Sequence, residues 1–337
     1  MGKYILNKTP LNTSKNYGIN DIELELEIPK YENPDNYEIE SNIKIEQQEK
    51  SKLTSKIGLD FDKYHNIEIN IPENTNNEII INYNFKNNTL IDKIEINASK
   101  NSNTNIIIKY TSKNNVFHHL KQITNLKENA KLNITLLNLL DNDSKNFIAI
   151  ENNIEKYAEL THNIIDLSSG IQISNYNTKL NEQSKNYLNN IYIGKNNDLI
   201  DINYNVELYG KESICNINSY GAIDDNSKKS FKGTIDFKEG AKKAVGEELE
   251  KCIILSKSAK SKSLPMLLCH EEDVVGAHGV SSGSIEKEKL FYLMSRGLTE
   301  KEAKNLIIKS NFNKLIENVP NKNIQEEIIE YIDKKLK

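Results

Sequence analysis

Leu126-Lys-Glu-Asn-Ala-Lys-Leu-Asn-Ile134 is a short β-rich run, a polar turn holding one small residue, and a second β-rich run. The unit returns as Ile154-Glu-Lys-Tyr-Ala-Glu-Leu-Thr-His162 and Leu180-Asn-Glu-Gln-Ser-Lys-Asn-Tyr-Leu188. It returns again as Val206-Glu-Leu-Tyr-Gly-Lys-Glu-Ser-Ile214 and Phe237-Lys-Glu-Gly-Ala-Lys-Lys-Ala-Val245, and a shorter-spaced sixth copy is read at Leu255–Ser263. Until that last step the starts lie roughly 26 to 31 residues apart, the span of one solenoid coil. Between copies, segments such as Ile200-Asp-Ile-Asn-Tyr-Asn-Val206 alternate, so every second side chain can face a core. One unit has too little apolar surface to fold alone. Stacked units bury a continuous core and pair their strands through the backbone. Asn and small residues suit the turns because they tolerate left-handed backbone angles and bond locally to the main chain. A β-sandwich also gives short strands between turns, but the repeated turn favours a solenoid.

The chain has 337 residues, enough for one large or two ordinary domains. A net charge of −4 leaves no basic footprint and argues against nucleic acid or an anionic membrane as the main partner. No apolar run is long enough to span a bilayer, and Met1 to Pro10 lacks the apolar core of a secretory signal. Cys215, Cys252 and Cys269 are too few, and odd in number, for a disulfide framework. The cytoplasm is the compartment these features predict. The abundance of Asn and Lys reads as a trace of an AT-rich genome as much as of structure.

The last fifty-odd residues change period. Ser284 is the expected cap of a first helix with Glu286 and Glu288 in its opening turn and Gly297 closing it. Thr299 to Glu302 forms a capping box for a second helix with Ala303, Leu306, Ile307 and Ile308 on its apolar side. Asn323 and Glu326 can open a third, with Ile328, Ile332 and Leu336 on one face. At the other end, Ile22 to Ile28 alternates as a strand, Asn33-Pro34 marks a turn, and Ile39 to Lys56 is polar with weak periodicity. The expected organisation is an extension over 1–65, a solenoid core over 66–283 and a helical subdomain over 284–337.

Where coil gives way to helix stands Pro265-Met-Leu-Leu-Cys-His-Glu-Glu-Asp-Val-Val-Gly-Ala-His-Gly-Val-Ser-Ser-Gly-Ser284, followed by Ile285 to Gly297. Glu272-Asp273, Ala277-His278-Gly279, Ser281 to Ser284, the run Leu290-Phe-Tyr-Leu-Met-Ser-Arg-Gly297, and Leu298-Thr-Glu300 together resemble the C-terminal signature of the SufB/SufD family of iron–sulfur cluster assembly scaffolds. The resemblance extends from about residue 66 to 315. It implies a right-handed parallel β-helix, a SufD-like role, and a SufB-like partner or second copy joined along the coil ends. It also implies a SufC-like ABC ATPase docked on the C-terminal helices, around Leu290, Phe291, Leu293 and Arg296. The cargo implied is a transient iron–sulfur cluster at a subunit interface.

By that resemblance His278 falls on a proposed cluster-ligating histidine. Its neighbours Ala277 and Gly279 leave the imidazole uncrowded, and imidazole is a good iron ligand, although thiolates are the usual holders of clusters. Read without the resemblance, it is a histidine bonded to a turn carbonyl at the end of the coil; the resemblance turns the reading toward a ligand. Counting back without gaps, the principal cysteine of SufB-like scaffolds lands on Glu250; Cys252, two residues later, is kept as a ligand in another register. Cys269, in an apolar run, and Cys215 read as buried structural thiols. His118 and His119 are adjacent on a strand, so they cannot chelate one ion there. His65 and His162 are isolated, and Glu271 to Asp273 reads as a solvated acidic turn. No phosphate-cradling loop and no nucleophile elbow occur, so neither bound nucleotide nor covalent turnover is expected of this chain. Two rivals remain open: an architectural ATPase-binding subunit without ligands, and a β-helical carbohydrate enzyme, for which Asp224-Asp225 is a thin candidate.

Overall fold

The computed structural model describes residues 1–12, 17–34, 36–86, 88–141 and 143–337. Its first strands are β1 (Gly2–Leu6), β2 (Ile22–Leu26), β3 (Tyr37–Ser41), β4 (Ile45–Thr54), β5 (Asp60–Ile71), β6 (Asn76–Asn84) and β7 (Thr89–Ala98). Next come β8 (Asn103–Ser112), β9 (Phe117–Leu126), β10 (Lys131–Leu140), β11 (Ser144–Ile154), β12 (Glu159–Asp166), β13 (Gly170–Leu180) and β14 (Lys185–Gly194). The last are β15 (Leu199–Leu208), β16 (Ile214–Ile223), β17 (Lys228–Phe237), β18 (Val245–Ile254), β19 (Lys260–Cys269) and β20 (Val275–Gly283). Three helices follow: α1 (Lys287–Ser295), α2 (Glu300–Ile316) and α3 (Lys322–Leu336).

From β5 onward the chain coils as a parallel β-solenoid. Even-numbered strands β6 to β20 form one parallel wall and odd-numbered strands β5 to β19 the other. β3 closes the first wall and β4 the second, both running antiparallel to their neighbours. This is the solenoid architecture that the repeated turns predict, with no pair of antiparallel sandwich sheets.

The repeated unit is the corner joining an odd strand to the next even one. Its tightest residue is left-handed: Asn129, Tyr157, Gln183, Glu212 and Lys243 have φ between 51° and 62°. Only the first is an Asn, so tolerance of that conformation does not choose the residue here. What holds it is a bond between coils. The amide of Tyr157 donates to Glu182 O at 3.1 Å, that of Gln183 to Lys211 O at 2.9 Å, and that of Glu212 to Lys242 O at 2.8 Å. Such a bond offsets the roughly 1–2 kcal/mol cost of the backbone angle. The small residue is needed one position later. Ala130, Ala158, Ser184, Ser213 and Ala244 are fully buried in the corner of the lumen, where a longer side chain has no room. The unit at Leu255–Ser263 belongs to the opposite corner, joining β18 to β19, which explains its short spacing. The sixth corner of the original series is the connection between β19 and β20, where Asp273 O receives the Lys243 amide.

Asparagine is structural as well as abundant. Asn97 donates to Asn70, Asn125 to Asn97 and Asn153 to Asn125, each at 3.0 Å, a ladder that exists only because identical side chains stack in register.

Both outer faces are covered. α2 and α3 lie on the even-strand wall, and Ile308, Phe312, Ile328 and Ile332 pack there with Leu137, Leu139, Ile165 and Ile191. Lys109 pairs with Glu327 at 3.1 Å, Lys334 with Asp141 at 3.2 Å, and the half-buried Lys335 donates to Leu167 O and Ser168 O. The hairpin β1–β2 covers the odd-strand wall with Leu6 and Leu26 against Phe117 and Phe147. Asn7, just past β1, is buried there. It donates to Asp201 Oδ1 at 2.6 Å, and its carbonyl accepts from Lys232 Nζ at 3.0 Å. The polar stretch from Ile39 to Lys56 still forms β3 and β4, since an edge strand with one wet side needs only a few inward apolar residues. Tyr37, Ile39 and Ile45 supply them.

Helix ends differ slightly from expectation. The N-cap of α1 is Glu286, with no side-chain cap bond, because the chain leaving β20 stays extended past Ser284. The capping box of Thr299 and Glu302 is formed, and Gly297 has φ 99°. α3 is capped by Asn321, two residues before the expected Asn323, and presents Ile324, Ile328, Ile332 and Leu336 inward. In α2, Leu306 is 45% exposed, since Ala303, Ile308 and Phe312 take the inner face.

Candidate functional site

β20 pairs with β18 and β19 with β17, and neither has a neighbour on its far side. Both ends of the solenoid finish in terminal strands, but at the first end Tyr37, Ile39 and Ile45 pack over the lumen, whereas on β20 the lumen-facing His278 and Val280 stay exposed. Parallel in-register strands send aligned side chains to the same face, so each residue in the last coil has a counterpart one layer down. His278 aligns with Glu248, Val280 with Glu250 and Ser282 with Cys252. In the opposite wall Ser261 aligns with Lys229, Ser263 with Phe231 and Cys269 with Phe237.

The lower layer is buried and charged. Lys229 Nζ lies 2.7 Å from Glu250 Oε1, and both side chains are fully buried. Tyr192 OH donates to the same oxygen at 2.8 Å, and Ser263 Oγ donates to Glu250 Oε2 at 3.1 Å. Glu250, the residue on which the gapless count falls, is thus the centre of a satisfied ion pair. Glu248, two residues earlier on the same face, is buried without a partner for either oxygen. Burial, then the Glu250 charge, pushes its carboxyl up to about 8. Cys252 is buried, and burial raises its thiol above the ordinary value, with the Lys229 charge working against the rise.

The upper layer is open. His278 is exposed on β20, as are Val275 and Val280. Cys269 is exposed as well, contrary to the buried thiol its apolar sequence suggests. It ends an edge strand whose inner face no further coil covers. Cys215, by contrast, is buried as read, and its thiol is raised first by burial and then by Glu248. His278 and Cys252 are not brought together. Cys252 stands four residues beyond the register partner of His278, about 13 Å along the strand. Among the described residues, no group of three or more His, Cys, Asp or Glu side chains could hold a metal ion.

Of the other histidines, His270 is exposed beside Asp236, while His65, His118, His119 and His162 lie inside packing layers. His118 faces the lumen, its Nδ1 2.7 Å from Asn146 Oδ1. His119 faces outward against Phe61, with ring centroids 4.6 Å apart. Burial brings His119 and His162 down to about 3, so both are neutral. Asp225 accepts from the Asn196 amide and serves a turn. Glu271 accepts from the amides of Gly240 and Glu272, which makes the acidic loop a capped turn.

Beside the open end stands α1, which has no buried residue. Phe291 is 74% exposed and Tyr292 57%, while Leu290 and Leu293 are half-buried. The Arg296 guanidinium sits over the Tyr292 ring at 5.3 Å. The pairing of layers and the accessibility of His278 follow from which coil comes last, which no residue pattern announces. The unpartnered Glu248 was also missed. Its one sequence signal is the Glu-x-Glu of Glu248 and Glu250 on an inward-alternating strand.

The fold is thus a β-solenoid with an exposed last coil and an exposed helix beside it. The family model described as the SufBD core domain of the SUF system for FeS cluster assembly matches residues 80–311. The chain belongs to this family. It is 28% identical over 147 residues to the iron–sulfur cluster assembly protein SufD of Bacillus subtilis, covering 44% of this chain and 34% of that one. It is 29% identical over 196 residues to a SufBD family protein of Pyrococcus horikoshii, covering 58% and 44%. Against SufD of Escherichia coli it is 25% identical over 173 residues, covering 50% and 40%. The matches thus span less than half of each relative's length. Among the described residues, no helix is long and apolar enough to cross a membrane.

Proposed function

We propose that this chain is a SufD-like scaffold subunit of an iron–sulfur cluster assembly complex in the cytoplasm. It works with a SufC-like ABC ATPase and with a SufB-like subunit or a second copy of itself, and carries out no catalytic turnover. The observation that carries this reading is His278 exposed on the inner face of the last strand, at an end of the lumen that no described residue covers. A second coil end meeting this one would bury Val275 and Val280 and bring a partner's ligands to the imidazole. A cluster would then be shared cargo, since this chain alone gathers no ligand set among its described residues. Cys252 would need the terminal coil to shift before it could contribute. The ATPase would dock on α1 through Leu290, Phe291, Leu293 and Arg296. The alternative of an architectural subunit without ligands differs in one observable. The complex is purified from its own cell, with iron and acid-labile sulfide measured, and compared with a His278→Ala version. Loss of both elements with the subunits still associated supports the ligand role. Unchanged iron and sulfide would leave the architectural reading.

A further inference from the structure

The lumen directly beneath the open end holds two carboxyls treated in opposite ways. Glu250 has Lys229, Tyr192 and Ser263. Glu248 is 2% exposed and hydrogen-bonds through neither oxygen. A buried ionised carboxyl without a counter-charge is costly, so such a group is normally paired, protonated or bound to a cation. The nearest lysines are committed elsewhere. Lys229 is held by Glu250, and Lys232 leaves the other face of its strand to meet Asp201 and Asn7. Space has been made for the group: it lies over Gly233, where any Cβ would collide with the carboxyl atoms. Its register partner in the last coil is His278, one strand spacing away, about 4.8 Å, with both side chains leaving the same face.

We propose that Glu248 and His278 form the two-residue half of a divalent metal site at the mouth of the lumen, an imidazole nitrogen and a carboxylate oxygen suited to an ion of the iron(II) class. The remaining positions are filled by water in the isolated chain and by a partner's groups in the complex. This deepens the reading of His278 given above and rests on it. A nitrogen–oxygen pair suits iron(II) better than a sulfide-rich core, so the site would receive incoming iron before a cluster is complete.

The test titrates the full chain with Co2+ as a spectroscopic probe, comparing wild type, Glu248→Gln and His278→Ala. Either substitution should weaken binding at least about tenfold, and the double substitution should lose little more, as expected for two ligands of one ion. Glu248→Asp, which keeps the charge but withdraws the carboxylate by one methylene, should weaken binding in the same direction and serves if the Gln variant does not fold. Wild-type affinity retained by the folded Glu248 variants overturns the proposal, as does the absence of any Co2+ binding by the wild-type chain at millimolar metal. If His278→Ala strips iron from the complex while the Glu248 variants bind normally, this inference fails and the function above stands. If neither residue affects metal or cluster, both fail.

Discussion

At the N-terminal end of the solenoid, β3 and β4 run antiparallel to the first coil and lay Tyr37, Ile39 and Ile45 over the lumen. At the C-terminal end, β19 and β20 stop with their inner faces bare and the chain departs into helices that cover a side wall instead. The first end is finished by the means edge strands usually employ: reversal of direction, and outward charges on β4 such as Glu46 and Lys50. The second leaves exposed valines and a histidine on its last strand. Exposed strand edges invite aggregation, so an end left bare in a fold that can cap itself is an end suited to meeting another chain.

The largest effect should come from deleting residues 284–337. The helices bury Leu137, Leu139, Ile165 and Ile191 on the even-strand wall, so their removal uncovers core rather than a neutral surface. The truncated coil should aggregate or lose its cooperative thermal transition. A soluble truncation melting within a few degrees of the full chain would mean that the wall needs no cover and that both regions are independent.

Next in size are the two buried lysines, one toward each cover. Lys232→Met leaves Asp201 without its cation beneath the N-terminal strap, and Lys229→Met does the same to Glu250 near the open end. Each should cost about 3–5 kcal/mol in denaturant unfolding, the usual penalty for orphaning a buried charge. They should differ in kind. Lys232→Met also removes the bond to Asn7 O and should make residues 7–12 more open to protease, whereas Lys229→Met should leave that segment protected. Equal protease sensitivity in both would show that the strap does not depend on this contact.

What could be read beforehand follows the same division. The coils were legible because their corners repeat and their strands alternate, two periodic signals set by local sterics and burial. The left-handed corner residues were legible only in part: Asn129 advertises its conformation, but Tyr157 and Lys243 are held by bonds to the next coil that no local pattern records. The helix faces were nearly legible, failing at Leu306 where the inner face is chosen by the wall beneath. The open end was legible only through the family resemblance, which implies a partner joined along the coil ends. Cys269 and His278 sit in sequence like residues of any other coil, and their exposure comes from the absence of a next one.

A smaller effect separates the two ends by pH. The Glu248 carboxyl is raised to about 8 from an ordinary 4.5, so its folded form prefers the proton more than its unfolded form does. An acid raised in this way leaves stability intact below about pH 4.5 and removes it progressively as pH rises toward 8. The full loss is up to about 4 kcal/mol. Glu248→Gln should therefore match wild type near pH 5 and melt higher than wild type at pH 8. A constant difference across that range would mean the carboxyl already has a partner.

The least effect on stability, and the sharpest on assembly, belongs to α1. Phe291 is 74% exposed and no residue of the helix is buried, so Phe291→Ser removes almost no packing. Unfolding free energy should stay within about 0.5 kcal/mol of wild type. The helix nonetheless leaves the rings of Phe291 and Tyr292 exposed, and large exposed aromatics in water are normally covered by a partner. If α1 presents this face to the ATPase, the same substitution should weaken co-purification by tenfold or more, since a central aromatic commonly carries over 1.4 kcal/mol of an interface. His278→Ala, at the open end, should leave that association unchanged. Stability and association moving together would place Phe291 in the fold. Association lost from both substitutions would make the bare end and the bare helix a single surface rather than two.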